Sequence, residues 1–393
     1  MNAIEKRKMT DNTQDKFAGI RPFYDEEVPA AIERLVSYPA FTMVSKYLFP
    51  EKSVDDVAGM LRGIRTIHDY QVGFMQPTVE SVLDKTVESF TLSGLESLDP
   101  SQKYLYLSNH RDIALDATFL TYFIYQYGFS TPEISFGANL MEDNFVVDFG
   151  RLNKMFRVER PSTLASPRDL LATSQKLSDY IRFTLLEKKE SVWIAQRNGR
   201  TKDGNDTTDQ GIIKMFAMSH PQDKIDALSD LNIVPVAISY EWEPCDILKT
   251  LELYESESHT YVKKPGEDLN SILTGIVQQK GRVHMAFCDP VTRNDLLEFD
   301  SLVKSRYNHE VAGLVDRRIH AAYKLWPNNF IAHDLRFGRS RFSDRYTEGQ
   351  KQAFVKKLKG LDKYEAYDTD MLKDIFLSIY SNPVDNALQV SKI

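Results

Sequence analysis

Apolar residues recur at helical spacing along the first ninety residues. Within Val28–Leu35 they lie three to four positions apart, which predicts an amphipathic helix. The same period returns from Val54 to about residue 90, and Pro39 and Pro77 predict breaks between helices. We therefore predict a helical N-terminal region over residues 1–90.

From residue 91 short apolar runs typical of strands alternate with helical stretches. The strands are predicted at residues 91–94, 104–107, 133–137, 157–160, 191–196, 233–240 and 282–288. This alternation is typical of α/β proteins, so we predict a mixed, largely parallel central sheet flanked by helices over residues 91–295. Residues 296–393 return to a helical pattern and are predicted to form a C-terminal extension packed on the core.

Composition narrows the class of protein. The 49 basic and 56 acidic residues give a net charge of −7, which argues against general nucleic-acid binding. The two cysteines, Cys245 and Cys288, have no metal-type spacing and favour a reduced cytoplasmic protein. No secretory leader and no membrane-spanning run is apparent, so any membrane contact is expected to be peripheral, at the inner face of the membrane.

Polar residues follow directly on the strand predicted at 104–107. His110 lies at the turn into a helix, with Asp112 and Asp116 close behind it. An imidazole can accept a proton from an alcohol, and a carboxylate on its other nitrogen fixes its tautomer. Asp112 is nearer in sequence, whereas Asp116 lies about two helical turns on. The alternative is that this polar run only caps the helix.

A second polar cluster follows the strand predicted at 191–196. Arg197, Arg200 and Lys202 lie in a loop with Gly199 and Gly204, a composition that suits a phosphate or carboxylate ligand. The loop lacks the Gly-x4-Gly-Lys-Ser/Thr pattern of nucleotide P-loops. A solvated surface loop is the alternative interpretation.

Four blocks, in this order, resemble the motifs of the glycerolipid acyltransferase superfamily, which comprises the glycerol-3-phosphate and lysophosphatidic acid acyltransferases. The first resembles its Asn-His-x4-Asp signature, carried here by Asn109, His110 and Asp116. The second block, Lys154–Arg160, is similar to the second motif of the family. Phe156 and Arg160 stand at the aromatic and terminal arginine positions of that motif.

The third and fourth blocks complete the resemblance, which covers about residues 100–290. Arg197–Arg200 resembles the usual Pro-Glu-Gly-(Thr)-Arg, and Ile233–Val236 resembles the last block with Pro235 as its proline. Two departures stand out. The spacing from His110 to Asp116 is one residue longer than in the family, and Asn198 replaces a glutamate, so it can hydrogen-bond but cannot supply charge.

The resemblance implies an acyltransferase that moves an acyl chain from acyl-CoA or acyl-carrier protein to a hydroxyl of glycerol-3-phosphate or lysophosphatidate, without an acyl-enzyme. His110 is the implied general base, oriented by Asp116 with Asp112 as a further candidate. No metal and no cofactor beyond the acyl donor is implied. The implied substrate-contacting residues are Asn109, Arg111, Phe156, Arg160, Arg197, Asn198, Gly199, Arg200, Lys202 and Pro235.

Three other classes stay open at this point. A hydrolase could use the same histidine, although the Gly-x-Ser-x-Gly nucleophile elbow is absent. A metal phosphoesterase would need more clustered histidines than the sequence offers. The third is a lipid- or thioester-binding protein derived from an acyltransferase and weakened by Asn198.

Overall fold

A seven-stranded, mostly parallel sheet is the central feature of the fold. The computed structural model describes residues 16–141, 143–160, 164–258, 261–264 and 266–390. The strands are β1 (Val87–Ser93), β2 (Leu105–Ser108), β3 (Glu133–Gly137), β4 (Met155–Val158), β5 (Val192–Ala195), β6 (Ile233–Tyr240) and β7 (Gly281–Phe287). They are ordered β1-β7-β6-β2-β5-β3-β4.

Strand direction follows the predicted α/β class. The pairs β1/β7, β2/β6, β3/β4 and β3/β5 are parallel, and β6/β7 is antiparallel. Every residue of β2 and β6 is buried, as expected for strands covered on both faces. The predicted α/β fold, with a mixed, largely parallel sheet flanked by helices, is confirmed.

Helices precede, separate and follow the strands along the chain. In chain order they are α1 (Val28–Ser37), α2 (Pro39–Leu48), α3 (Val54–Arg62), α4 (Ile67–Tyr70), α5 (Gln76–Thr86), α6 (Leu115–Gln126), α7 (Asn144–Leu152), α8 (Pro167–Leu186), α9 (Gln210–Phe216), α10 (Lys224–Ser229), α11 (Asp246–Ser258), α12 (Glu267–Val277), α13 (Arg293–Leu297), α14 (Lys304–Ala322), α15 (Pro327–Arg336), α16 (Glu348–Lys359) and α17 (Thr369–Val390). A π-helical turn, Gln71–Met75, lies between α4 and α5. Within the described ranges, no helix is both long and apolar enough to cross a membrane.

Contacts group the chain into two compact units that are discontinuous in sequence. Unit 1 comprises residues 1–81 and 130–193, and unit 2 comprises residues 82–129 and 194–393. In unit 1, α1 packs on α3 and α7, and a buried apolar cluster that includes Val28 and Leu61 fills the space between them. The predicted sequence regions 1–90, 91–295 and 296–393 are a different division and stay a prediction.

Unit 2 contains β1, β2, β6 and β7 together with the C-terminal helices. α17 packs on α11 and α15, and a second apolar cluster that includes Phe354 and Phe376 lies between α15, α16 and α17. Pro383 lies inside α17 and is buried there. The C-terminal helices thus form part of the same compact unit as the strands that carry the first and fourth sequence blocks.

The boundary between α5 and β1 corrects one sequence-based expectation. The helical pattern was expected to continue to about residue 90, but α5 ends at Thr86 and Val87 begins a strand. Tertiary pairing explains the difference, because β1 runs parallel to β7 with Phe90 opposite Val283, and Lys280 N donates to Thr86 O at 2.8 Å. Partners almost two hundred residues away decide the conformation of this segment.

Candidate active site

Strand β2 delivers the first polar block to the edge of the sheet. Its four residues are buried and pair in parallel register with β6, so that Ser108 lies opposite Val236. Asn109 continues the ladder by one step, since its backbone N–H donates to Val236 O at 3.2 Å. His110 is therefore the first residue beyond the strand, at the carboxyl end where open α/β sheets place their ligand sites.

The side chain of Asn109 acts as an extra rung between β2 and β6. Its Oδ1 accepts from Ile238 N at 2.7 Å, and its Nδ2 donates to Ile238 O at 3.0 Å and to Asp206 Oδ2 at 3.1 Å. Only a primary amide both accepts and donates in this way, so aspartate would not fit. Asn109 was predicted to contact substrate, and the structure buries it fully among these protein partners.

His110 and Asp116 meet as a hydrogen-bonded pair. His110 Nδ1 lies 2.8 Å from Asp116 Oδ2, and Asp116 is 1% exposed whereas the imidazole is 13% exposed. The carboxylate also accepts from Arg111 N at 2.5 Å, from Asp112 N at 2.9 Å and from the hydroxyl of Tyr240 at 2.7 Å. These donors offset the cost of burying the carboxylate charge and fix its orientation toward the ring.

Asp112 has a different place from the one that its sequence position suggests. Its Oδ1 accepts from Ala114 N at 2.9 Å and from Leu115 N at 2.8 Å, so it caps the turn that leads into α6. This helix begins at Leu115, five residues later than a cap at Asn109 would give. Its Oδ2 is buried and has no hydrogen-bond partner among the described residues. Burial, and then the charge of Asp116, raises the pKa of Asp112.

This capped turn explains how the longer spacing is accommodated. Residues 110–114 form an irregular turn before α6, and Asp116, in the first turn of the helix, reaches back to the imidazole and to two backbone N–H groups. The extra residue is absorbed where the chain is not yet helical. His110 and Asp116 are brought together despite the departure from the family spacing.

Arg111 is buried in an internal network of charges. Its guanidinium is fully buried and bonds to Asp206 Oδ2 at 2.5 Å, to Gly204 O at 3.2 Å and to Glu243 Oε2 at 3.4 Å. Lys249 Nζ donates to Glu243 Oε1 at 2.6 Å and to the backbone oxygen of Arg111 at 2.7 Å. Sequence motifs predicted a substrate contact for Arg111, but the structure directs its guanidinium to protein groups.

The loop after β5 is anchored to the histidine turn at several points. Gln196 N donates to Ser108 O at 2.8 Å, and Thr201 N donates to the backbone oxygen of His110 at 2.7 Å. Gly204, at φ +77°, packs so closely on α17 that a Cβ there would lie 2.0 Å from Ile379 O. The C-terminal helix therefore holds the loop, and only glycine fits at this point.

The tip of this loop carries the predicted anion-binding side chains. Arg200 Nη2 donates to Ser271 Oγ at 3.0 Å, while its Nη1 is buried without a hydrogen-bond partner. In the part of the chain that the structure describes, Arg197 forms no hydrogen bond or ion pair, and Asn198 is exposed beside Gly199 at φ +72°. Lys202 is already ion-paired with the buried Glu252.

Three further predicted contacts lie elsewhere. Pro235 is buried in the middle of β6, opposite Leu107, and its carbonyl accepts from Cys288 N at 2.9 Å. Phe156 is fully buried in unit 1, with its ring centroid 5.3 Å from that of Tyr180. Arg160, also in unit 1, follows β4 with its guanidinium beside Gly137. The substrate roles of Pro235, Phe156 and Arg160 stay a prediction.

Two residues of the site were missed by the sequence interpretation. Asp206 joins both polar blocks, since it accepts from Asn109, from Arg111 and, through Oδ1, from Thr201 Oγ1 at 3.0 Å. Tyr240 bonds to Asp116 from the end of β6. Asp206 could be noticed as an acidic residue within a basic loop, whereas nothing in an apolar strand marks Tyr240. Among the described residues, no group of three or more His, Cys, Asp or Glu side chains is arranged to hold a metal ion.

A histidine–carboxylate pair at the end of a strand is joined by hydrogen bonds to a loop that carries arginines, and this arrangement suits the deprotonation of a hydroxyl next to an anionic group. Residues 89–239 match the family model described as Acyltransferase. Over these residues the chain is similar to the acyltransferase family, and the predicted resemblance to acyltransferases is confirmed for this part of the chain.

Two other comparisons add little. No curated protein matches the chain significantly. A crystal structure of the 1-acyl-sn-glycerophosphate (LPA) acyltransferase PlsC from Thermotoga maritima is similar over 74% of this chain and 93% of that chain, with 12% identity and a TM-score of 0.33. A likeness at this level carries no argument about function.

Proposed function

We propose that this acyltransferase moves a fatty acyl chain from an acyl thioester to a hydroxyl of a glycerol-phosphate-type acceptor, either glycerol-3-phosphate or lysophosphatidate. The observation that carries the proposal is the His110–Asp116 pair, bonded through Thr201 to a loop whose arginines retain unused donors. The first feature suits the deprotonation of a hydroxyl, and the second suits a phosphate on the same acceptor.

In the proposed reaction His110 is the general base. With Nδ1 bonded to Asp116, Nε2 takes the proton from the acceptor hydroxyl as its oxygen attacks the thioester carbonyl. The new ester C–O bond forms, the C–S bond breaks, and the imidazolium returns its proton to the departing thiolate. Asp116 keeps the ring in the required tautomer and stabilises the transient imidazolium. No covalent acyl-enzyme is formed.

Arg200 is proposed to hold the acceptor phosphate. Its bond to Ser271 fixes one end of the guanidinium. The buried Nη1 has no hydrogen-bond partner in the described part of the chain, and a phosphate oxygen would supply one. Arg197, which has no ion pair among the described residues, is the second proposed contact. Binding the phosphate positions the hydroxyl, which is the larger part of what such a clamp contributes.

Asn109 and Arg111 are proposed to position the site from within. Both are fully buried and both bond Asp206, so they tie the histidine turn to the arginine loop. Their removal should disturb the whole site rather than one substrate. The donor, acyl-CoA or acyl-carrier protein, and contact with the inner membrane face are part of this proposal and follow from the lipid character of the substrates.

The test is detection of the acylated product by mass spectrometry. The purified protein is incubated with long-chain acyl-CoA, and in parallel with acyl-carrier-protein thioester, together with glycerol-3-phosphate, lysophosphatidate or glycerol. Product with a phosphate-bearing acceptor and not with glycerol supports the proposal. Free fatty acid without acylated product would instead identify a thioesterase.

A binding protein derived from an acyltransferase is the second candidate, and Asn198 favours it. This residue lies exposed at the loop tip, where the family carries a charged glutamate, so the acceptor loses one charged contact. The variant Asn198→Glu separates the two functions. A protein that is inactive with every donor and acceptor but gains transfer on this change would be a weakened enzyme that now serves as a binder.

A further inference from the structure

We infer that Tyr240 is a positioning residue of the active site, whose hydroxyl fixes the Asp116 carboxylate and limits how strongly it supports a proton on His110. The inference deepens the proposed function, because it assumes that His110 is the base of the reaction. Tyr240 touches neither substrate nor the reacting atoms in this account. It acts only through Asp116.

The geometry distributes the two oxygens of Asp116 between different partners. Oδ2 faces His110 Nδ1 and the backbone N–H groups of Arg111 and Asp112. Oδ1 accepts from the Tyr240 hydroxyl at 2.7 Å. A carboxylate held at both oxygens cannot rotate about its Cβ–Cγ bond, so the lone pair of Oδ2 stays aimed at the imidazole.

The fold makes this phenol a fixed donor. Tyr240 is the last residue of β6, pairs with Val283 on β7 and is 1% exposed. Burial, and then the charges of Asp116 and Asp112, raise the pKa of Tyr240 well above its ordinary value, so it stays protonated across the working pH range. Its only proton therefore goes to Asp116, with the direction of the bond set by chemistry.

A donor on one oxygen changes what the other oxygen can do. The bond from Tyr240 draws charge density from the carboxylate, which reduces its stabilisation of an imidazolium at His110. Without the hydroxyl, Asp116 would hold a proton on His110 to higher pH and leave less neutral imidazole available as a base. The rate would then fall on the acidic side of the pH profile.

Other charged groups surround this pair and remain unchanged when only the hydroxyl is removed. Asp112 and Glu243 face Tyr240, and Tyr323 faces Asp116. Arg200, Cys245 and Lys280 face Asp112. Because they are common to the wild type and the variant, a shift between the two reports the Tyr240 bond.

The experiment compares Tyr240→Phe with a matched control, Tyr380→Phe. Tyr380 is also a buried phenol of unit 2, and its hydroxyl donates to a carboxylate, Asp246 Oδ2, at 2.6 Å. It accepts in addition from Glu243 N at 3.1 Å, so its removal is at least as disruptive to the packing. Both variants lose one buried phenol–carboxylate bond, but only the first touches Asp116. For each protein kcat/KM is measured against pH, and the His110 ring resonances are titrated by NMR, assigned by their loss in His110→Ala.

The expected result is specific to position 240. In Tyr240→Phe the acidic limb of the profile and the His110 titration midpoint both move up by about one pH unit, which lowers kcat/KM about 10-fold below the midpoint. At high pH the rate recovers toward the wild-type value. Tyr380→Phe loses comparable stability without either shift. A uniformly lower profile with an unmoved limb and midpoint would overturn the inference and leave Tyr240 a structural residue.

Two further measurements keep the inference testable in all cases. The NMR titration does not need acyl transfer. If the inference is right, the midpoint moves in Tyr240→Phe even when the protein transfers no acyl group, so the test of Tyr240 is separate from the test of the proposed function. If Tyr240→Phe does not fold, 3-fluorotyrosine at position 240 supplies a more acidic donor. The midpoint should then move to lower pH, and an unmoved midpoint would contradict the inference.

Discussion

The turn that carries His110 (residues 109–116) and the tip of the loop that carries the arginines (residues 197–202) are joined by hydrogen bonds but differ in how their polar side chains are paired. In the turn, Asn109, His110 and Asp116 bond to protein groups, and the two polar residues beside the ring are buried almost completely. At the tip, Arg197 forms no bond among the described residues and Arg200 keeps a buried nitrogen without a partner. The three side chains of the turn that surround the reacting proton are hydrogen-bonded within the protein, whereas the arginines of the loop tip retain unused donors.

The difference separates two tasks of the proposed enzyme. A base that must take a proton in one orientation benefits from partners that exist before the substrate arrives. A ligand clamp must instead hold back donors for the substrate, because donors already paired with protein acids gain little from a phosphate. Lys202 illustrates the second point, since its ion pair with Glu252 already uses its charge.

The largest expected effect comes from neutralising each of the two acids of the turn in a separate variant. Asp116→Asn should lower kcat about 10²- to 10⁴-fold, because the amide no longer stabilises the imidazolium. Asp112→Asn should keep kcat within a few-fold, since an asparagine oxygen can still accept from Ala114 N and Leu115 N. Steady-state kinetics with both variants decide it. A larger loss at Asp112 would reverse the assignment of the two carboxyl groups.

A substitution in the buried charge network around Arg111 should lower the free energy of unfolding. Asp206→Ala removes the main partner of the fully buried Arg111, and breaking such a pair from one side costs about 3–5 kcal/mol of the free energy of unfolding. Urea denaturation measures it, with Asp203→Ala as a control from the same loop. Among the described residues, the Asp203 carboxylate accepts only from the neighbouring Asn205 N. Equal, small losses in the two variants would show that the network is not a stabilising feature.

A substitution at the loop tip should weaken binding of the acceptor substrate. Arg200→Ala is expected to raise the acceptor KM about 10- to 100-fold, the loss of one charge-assisted contact to phosphate, with kcat little changed. Lys202→Ala is the matched control and should change KM less than about threefold, because its charge is already paired with Glu252. An Arg200 effect confined to kcat would contradict the phosphate role.

Gly275 of α12 probes the packing beneath the turn. A Cβ at this position would lie 2.1 Å from Asp112 Oδ2, so Gly275→Ala must displace the cap of α6 and should cost about 1–3 kcal/mol. Gly360→Ala is the control, since nothing lies within 4 Å of its Cβ position. Thermal unfolding of both variants gives the comparison, and an unaffected Gly275→Ala protein would mean that α12 moves away easily.

The smallest expected effect is a pH-dependent gain at Asp112. Because the pKa of Asp112 is raised in the folded state, its ionisation costs stability. This cost is complete above the raised pKa, begins to shrink as the pH falls through that value, and is gone below the ordinary pKa. Asp112→Asn should therefore be more stable than the wild type at neutral pH, and this gain should shrink as the pH is lowered toward the ordinary pKa of an aspartate. Denaturation at neutral and at lowered pH tests the sign, and a variant less stable at neutral pH would refute it.

Strands and the order of the polar blocks were predictable because they are local. Apolar runs bounded by turn residues placed β3 and β6 with the observed bounds, and the strand before His110 within one residue at each end. The choice between Asp112 and Asp116 was not predictable, because it depends on where α6 begins. That start is set by the Asp112 cap.

Long-range partners were out of reach of sequence patterns. Asp206 lies 97 positions from Asn109, and Tyr240 lies 124 positions from Asp116. The family resemblance placed Arg111 among the substrate-contacting residues. Its burial depends on Asp206 and Glu243, which only the folded chain brings to it. A sequence alone does not distinguish an arginine that is paired inside the protein from one that faces the substrate.

The central claim is that His110 serves as the base for transfer to a phosphate-bearing acceptor. Free-thiol release from long-chain acyl-CoA tests it most directly, measured with and without glycerol-3-phosphate or lysophosphatidate in the wild type and in His110→Ala, with the exposed His309→Ala as control. The account predicts acceptor-dependent release that falls at least about 10²-fold in His110→Ala and is unchanged in the control. Acceptor-dependent release that persists in His110→Ala would contradict it.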